Sequence, residues 1–350
     1  MPSPRRKSGS AFRILAVLLG AALLAYLVEH AGPGRLLQDA RTIGWGMLLV
    51  IALAGFAHVI RTWAWRLTLL GEARRVSFWR TFGLRLISEA IGQLGFVGLV
   101  VGESARVGML GCGVPMASAI SSVAMDRGLF IAMGGVVTVA GLLIAAVAVA
   151  FSGALRFYAV VFVIALMGLL LLAALAIHKG WPFFSGTARA ASRVPWFRGW
   201  IDSKKAVIES SERQFLQFHR QAPGAFWISL LFNLGSHLLA VTEVYLILHL
   251  LGTHASFVGA LILESLTKLI NVIGAVNPGN LGTYEGGNMV IGKLVGLSGA
   301  QGLTLGLCRR VRVIFWAIVG GICFAWYSRS NQPVSPDESA EIVAGVKLCG

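Results

Sequence analysis

Twelve ionisable side chains stand inside stretches of this sequence that are otherwise apolar: Glu89, Glu103, Arg106, Asp126, Arg127, Glu243, Glu264, Lys268, Glu285, Arg309, Arg310 and Arg312. An ionised group at the centre of a membrane helix costs roughly 2.5–3.5 kcal/mol on insertion scales, so groups retained there pair with one another or face a water-filled cavity. Glu103 and Arg106 are three apart and share one face of a helix. They form either an internal ion pair or a site in which Arg106 forks onto a phosphate and Glu103 orients it. Asp126-Arg127 stands just before a clean apolar run and offers the same two readings. Glu264 and Lys268 have the favoured i, i+4 order for a structural pair.

The sharpest local feature is Asn277-Pro278-Gly279-Asn280-Leu281-Gly282-Thr283-Tyr284-Glu285-Gly286-Gly287. Pro278 ends a preceding helix, and Gly279 and Gly282 permit a tight turn. Amides freed at the next helix start can hold an anion, with Arg309, Arg310 or Arg312 beside it. Alternatively Glu285 caps that helix and complements its dipole, and the three arginines anchor an interface. No HExxH, GxSxG or Walker A pattern occurs, and the seven histidines and four scattered cysteines show neither metal spacing nor a disulfide framework. No metal and no cofactor is expected, and His58 and His237 read as packed helix residues.

The elements that must position these groups follow from composition. Of 350 residues 56% are hydrophobic and 13% charged, with a mean hydropathy of +0.76. A soluble domain carries about 25% charged residues, which excludes a soluble enzyme with a polar shell. The net charge of +15 lies between apolar spans, where positive-inside topology and anionic lipid explain it and nucleic acid does not. The chain reads as an all-α polytopic protein of about eight transmembrane helices with two broken or re-entrant regions, a single domain over 1–327 and a mobile polar tail over 328–350. Apolar spans are expected at 14–28, 44–70, 129–151, 157–177, 225–251, 256–274 and 311–327. The broken regions are 81–127 and 275–300, both rich in glycine. Arg61 and Arg66, with Trp63 and Trp65, read as a helix end snorkelling at the interface. The basic loop 179–223 holds eight Lys or Arg against three acids, which places it in the cytoplasm as a surface helix or a solvated linker. The N-terminus is expected to be cytoplasmic, in a bacterial-type inner membrane.

The broken regions share a spacing. Glu103 is followed after 24 residues by Arg127, and Glu285 after 24 residues by Arg309. Either chance or an internal repeat produces this; repeats with broken helices at matching positions mark transport sites near the bilayer midplane.

Four elements in order carry a resemblance: Arg61-x-x-x-Trp65-Arg66-x-x-Leu69-Leu70, Gly102-Glu103-x-x-Arg106, Asp126-Arg127, and Pro278-Gly279-x-x-Gly282-x-x-Glu285. The chain resembles the flippase-like membrane proteins related to the transmembrane region of lysylphosphatidylglycerol synthase. Its Glu285-Gly-Gly and Arg309-Arg310-x-Arg312 look closest to a hopanoid-biosynthesis-associated branch. Where the family has Pro-x-Arg before Gly-Glu, this chain has Val97-Gly98-Leu99-Val100-Val101. The resemblance implies translocation of an anionic or isoprenoid-type lipid, with no aminoacyl transferase domain and no enzymatic activity. Glu103, Arg106, Asp126, Arg127, Asn277, Pro278, Gly279, Gly282, Glu285, Arg309, Arg310 and Arg312 would bind the lipid, driven by a gradient or mass action. The rivals are a lipid-binding scaffold that engages lipid-biosynthesis enzymes through the 179–223 loop, and an intramembrane lipid-modifying enzyme.

Overall fold

The computed structural model describes residue 29 and residues 33–93, 95–111, 114–148, 153–193, 195–274 and 280–330. Among them the chain forms twelve α-helices and no strand. These are α1 (Pro33–Ile43), α2 (Gly46–Thr68), α3 (Phe78–Gly92), α4 (Gly95–Gly111), α5 (Met116–Ala148), α6 (Gly153–Lys179), α7 (Phe183–Ala191), α8 (Pro195–Gln221), α9 (Pro223–Leu250), α10 (Phe257–Gly274), α11 (Thr283–Leu294) and α12 (Gly299–Ser330).

Five of them, α2, α5, α6, α9 and α12, are long and apolar enough to cross a membrane. The shortest has 23 residues, about 35 Å at 1.5 Å per residue, which exceeds a hydrocarbon core of about 30 Å. The expected count of about eight is therefore reduced to five full-length spans among the described residues. The apolar run 14–28 lies outside them. The run 256–274 forms α10, whose 18 residues reach only about 27 Å.

The broken region 81–127 contains the hairpin α3–α4, while the described part of 275–300 contributes only one short helix, α11, which packs on α10. α3 and α4, of 15 and 17 residues, run in and back from the end of the bundle where α2 finishes and α5 begins. Arg66 donates to the Val76 carbonyl at 2.8 Å and Arg80 to the Met109 carbonyl at 3.2 Å, tying the hairpin base to that end. α10 and α11 enter from the opposite end, between the finish of α9 and the start of α12. Hydropathy cannot distinguish a short helix that turns back from one that crosses, because both are apolar.

The spacing noted above extends through the structure. A shift of 182 positions carries Glu103 to Glu285 and Arg127 to Arg309. It also carries α2–α5 onto α9–α12. Two pairs of close contacts exchange under it. A Cβ on Gly55 would meet the Trp316 ring at 2.5 Å, and one on Gly134 would meet the His237 ring at 3.1 Å; positions 55 and 134 shift to 237 and 316. Likewise Gly83 faces Cys323 and Gly141 faces Ser265, and positions 83 and 141 shift to 265 and 323. α2 and α9 pack antiparallel. Gly46 lies against Leu250 at one end, and at the other the Ser229 hydroxyl donates to the Ala64 carbonyl at 3.0 Å. Matching helices that run in opposite directions require a two-fold axis across the helices. The chain therefore contains two inverted units, the architecture of many secondary transporters.

Between the units run α6, α7 and α8. α6 packs chiefly along α5 and exposes Phe162, Ile164, Leu169 and Leu171. The basic segment is helical rather than a linker. The Glu212 carboxylate of α8 accepts from the Phe184 amide at 2.7 Å and the Ser185 amide at 3.3 Å, capping α7.

Candidate functional site

Each unit gathers ion pairs where its short helices meet its long ones. In the first, the α3–α4 hairpin meets α2 and α5. Glu89 accepts from Arg61 at 2.5 Å, lies 3.1 Å from His58 Nδ1, and lies 3.4 Å from Arg85. Arg85 and Arg106 both hold Asp126, at 3.2 and 2.8 Å. Arg106 also holds Glu103 at 3.2 Å, and its guanidinium lies 3.5 Å from the centre of the Trp65 ring. Arg127 reaches Glu103 at 3.8 Å. The chain of charges thus runs from α2 through both arms of the hairpin to α5.

In the second unit Arg309 of α12 lies between two carboxylates, 2.8 Å from Glu264 and 3.4 Å from Glu243. Lys268 holds the other Glu264 oxygen at 2.9 Å, and Arg312 holds Glu243 at 2.7 Å. Glu243 stands 182 positions after Arg61, so the units place opposite charges at equivalent points.

Both networks border one cavity of about 1450 Å³. Its polar wall carries five cations, Arg61, Arg127, Lys268, Arg309 and Arg312, against three carboxylates, Glu89, Glu243 and Glu264. His58, His237, Gln93 and Asn271 complete it. The remaining wall is mostly apolar and comes chiefly from α5, with Leu129, Ile131 and Met133, and from α6, with Leu166, Leu170 and Ala173. Phe184, Phe215 and His219 of the α7–α8 pair also border it. An excess of positive charge in a space walled by low-dielectric helices attracts an anion. The apolar wall on α6 accommodates hydrocarbon beside it.

The proposed lipid-binding positions fall into three groups. Arg127, Arg309 and Arg312 border the cavity. Glu103, Arg106 and Asp126 stand behind its wall as the partners that hold Arg127 and Arg85, with Arg106 and Asp126 fully buried. Gly282, Glu285 and Arg310 form a separate joint. Gly282 adopts a φ of 73° that favours glycine, and its amide donates to Glu285 at 2.9 Å. Arg310 pairs with the other Glu285 oxygen and reaches the Asn280 carbonyl at 3.4 Å. Glu285 is wholly buried, so its geometry is that of a cap and buried ion pair. Asn277, Pro278 and Gly279 lie outside the described residues. Glu285→Gln is therefore expected to lower stability by roughly 3 kcal/mol through loss of the buried pair, read as a lower unfolding midpoint in detergent.

Sequence reasoning placed Arg61 at an interface and His58 and His237 in plain packing. Arg61 sits at the cavity on Glu89. Both histidines do pack, His58 edge-on to Trp316 and His237 stacked on Phe130, and they also border the cavity. Arg85 joins Glu89 to Asp126. The readable signal was the shift of 182 positions, which pairs Arg61 with Glu243 and Gly55 with His237.

A membrane bundle of two inverted units around a charged, half-apolar cavity defines the class. The family model of the lysylphosphatidylglycerol synthase TM region matches residues 13–321, and the chain belongs to that family. No curated protein and no solved structure matches the chain.

Proposed function

We propose that this protein moves a lipid between leaflets, its polar head crossing through the cavity while its acyl chains stay along α6. The carrying observation is that one cavity takes its charged wall from both inverted units and part of its apolar wall from α6, a helix with exposed apolar side chains along its length. Inverted units support alternating access, in which one unit rocks against the other around a shared site near the midplane. Arg127 is the most available cation, 32% exposed and held by an acid only at 3.8 Å. Lys268 and Arg312, each 21% exposed, are next. These three would meet a head-group phosphate. Arg309, nearly buried between two carboxylates, would keep those carboxylates in place while Lys268 and Arg312 exchange partners.

The substrate is an anionic lipid or an isoprenoid-type lipid of the hopanoid kind, in a bacterial-type inner membrane with the α7–α8 end cytoplasmic. Purified protein in vesicles, given head-group-labelled phosphatidylglycerol, a neutral phospholipid and a hopanoid-type lipid, separates these. Faster access of one lipid to an impermeant quencher identifies the substrate class. Exchange of none of them favours a lipid-binding scaffold, and a chemically altered lipid favours an enzyme.

A further inference from the structure

A second hollow, of about 230 Å³, lies outside the cavity where the end of α6 meets α8. Lys179, Arg213 and Arg220 line it, together with Gln217 and the apolar Ile177 and Leu216. All three cations are exposed, and among the described residues none is in an ion pair. This sets them apart from the bundle, where Arg61, Arg85, Arg106, Arg127, Arg309 and Lys268 each hold a carboxylate. The nearest acid along α8, Glu212, is turned away onto the start of α7. One cation has a structural task. Arg220 donates to the His178 carbonyl at 3.1 Å and so covers the negative end of the α6 dipole. Lys179 and Arg213 have no such task, and their charges converge on the hollow unneutralised.

We propose that this hollow binds the phosphate of an anionic lipid from the surrounding leaflet. Three cations and an amide donor match phosphate oxygens. Ile177 and Leu216 supply an apolar side that a soluble anion does not need. The depth fits: α6 ends at Lys179, and Trp181, 45% exposed, follows at the level where tryptophan marks a membrane interface. The same turn of α6 borders the large cavity through Ile177 and His178. A lipid held here therefore stands beside the cavity. Its use as a staging point rests on the translocation reading, whereas the binding itself does not.

The test is native mass spectrometry of the full chain in neutral detergent, titrated with phosphatidylglycerol. The variants compared all leave the large cavity intact, so a lipid held there contributes equally to each. Lys179→Gln/Arg213→Gln/Arg220→Gln is expected to weaken the tightest lipid by about tenfold or more, given what each basic group contributes near an anionic surface. Arg198→Gln/Lys204→Gln/Lys205→Gln removes equal charge from α8 away from the hollow and should leave binding unchanged. Lys179→Arg/Arg213→Lys/Arg220→Lys keeps the charges and should retain the lipid, which separates binding from folding. Excess inorganic phosphate is expected to leave the lipid bound; displacement would reassign the hollow to a soluble phosphate ligand. Equal losses in the two Gln triples, or no loss in the first, would overturn the site. Failure of vesicle exchange with lipid still bound would count against translocation alone.

Discussion

Asp126→Asn is expected to destabilise the protein by about 3–5 kcal/mol, the cost of removing one partner from a buried ion network. Asp126 is 2% exposed and carries the charges of Arg85 and Arg106, each also 2% exposed. Asparagine keeps the shape and the hydrogen-bonding oxygen but leaves two guanidinium groups facing one neutral side chain. Arg85 keeps Glu89 and Arg106 keeps Glu103, but these acids compensate only in part, because Glu89 is shared with Arg61 and His58 and Glu103 with Arg127. Arg106 is fixed further by the Trp65 ring, so it cannot swing to water. The hairpin α3–α4 would lose its closest ionic joint to α5 and keep only the longer one from Glu103 to Arg127. Thermal unfolding in detergent should show a midpoint lower by roughly 5–10 °C or more. Asp126→Glu keeps the charge and should cost less, through overpacking alone, about 1–3 kcal/mol. An asparagine variant that unfolds with the native protein would show that the network does not hold the hairpin.

The second large effect concerns transport. Arg127→Gln/Lys268→Gln/Arg312→Gln should slow exchange of an anionic lipid about a hundredfold or more. Hydrogen bonds to charged groups contribute roughly 1.5–3 kcal/mol each, and each 1.4 kcal/mol is a factor of ten. The unfolding midpoint should fall as well, because the buried Glu243 and Glu264 each lose a partner and share only Arg309, so lipid selectivity and not rate alone reads the site. Exchange of a lipid without net charge should change little. Equal slowing of charged and uncharged lipids would mean that these cations shape the bundle and do not select the head group.

Much of the architecture was legible because it follows from residue type alone. Apolar runs require helices, and charges inside them require pairing, which the ion pairs Glu103–Arg106 and Glu264–Lys268 fulfil. The 24-residue spacing from acid to arginine reported the repeat, since each unit places a short helix carrying the acid before a long helix carrying the arginine. The partnership across units was not legible. Gly55 with Trp316, and Gly134 with His237, meet only because one unit is inverted against the other. The same holds for the cavity wall: Glu243 and Glu264 come from different helices of the second unit, and Arg61 and Arg127 come from the first. The mode of folding-back of 81–127 and 275–300 also lay beyond hydropathy. A hairpin is fixed there by polar joints such as Arg80 on Met109 and Asn280 on Asn271 at 2.8 Å, which a window average removes. Glu285 stood out by its glycine-rich setting, and the structure shows that setting serving a tight cap.

The central claim is that the cavity between the inverted units is the path of a lipid. It is tested most directly by leaflet exchange in matched vesicles containing the native protein, Ala173→Trp or no protein. Ala173 borders the cavity from α6, so tryptophan there narrows the path without replacing a member of either ion network. Exchange well above protein-free vesicles for the native protein, and slower exchange for Ala173→Trp with an unchanged unfolding midpoint, is the expected result. Equal exchange by the native protein and Ala173→Trp would contradict it.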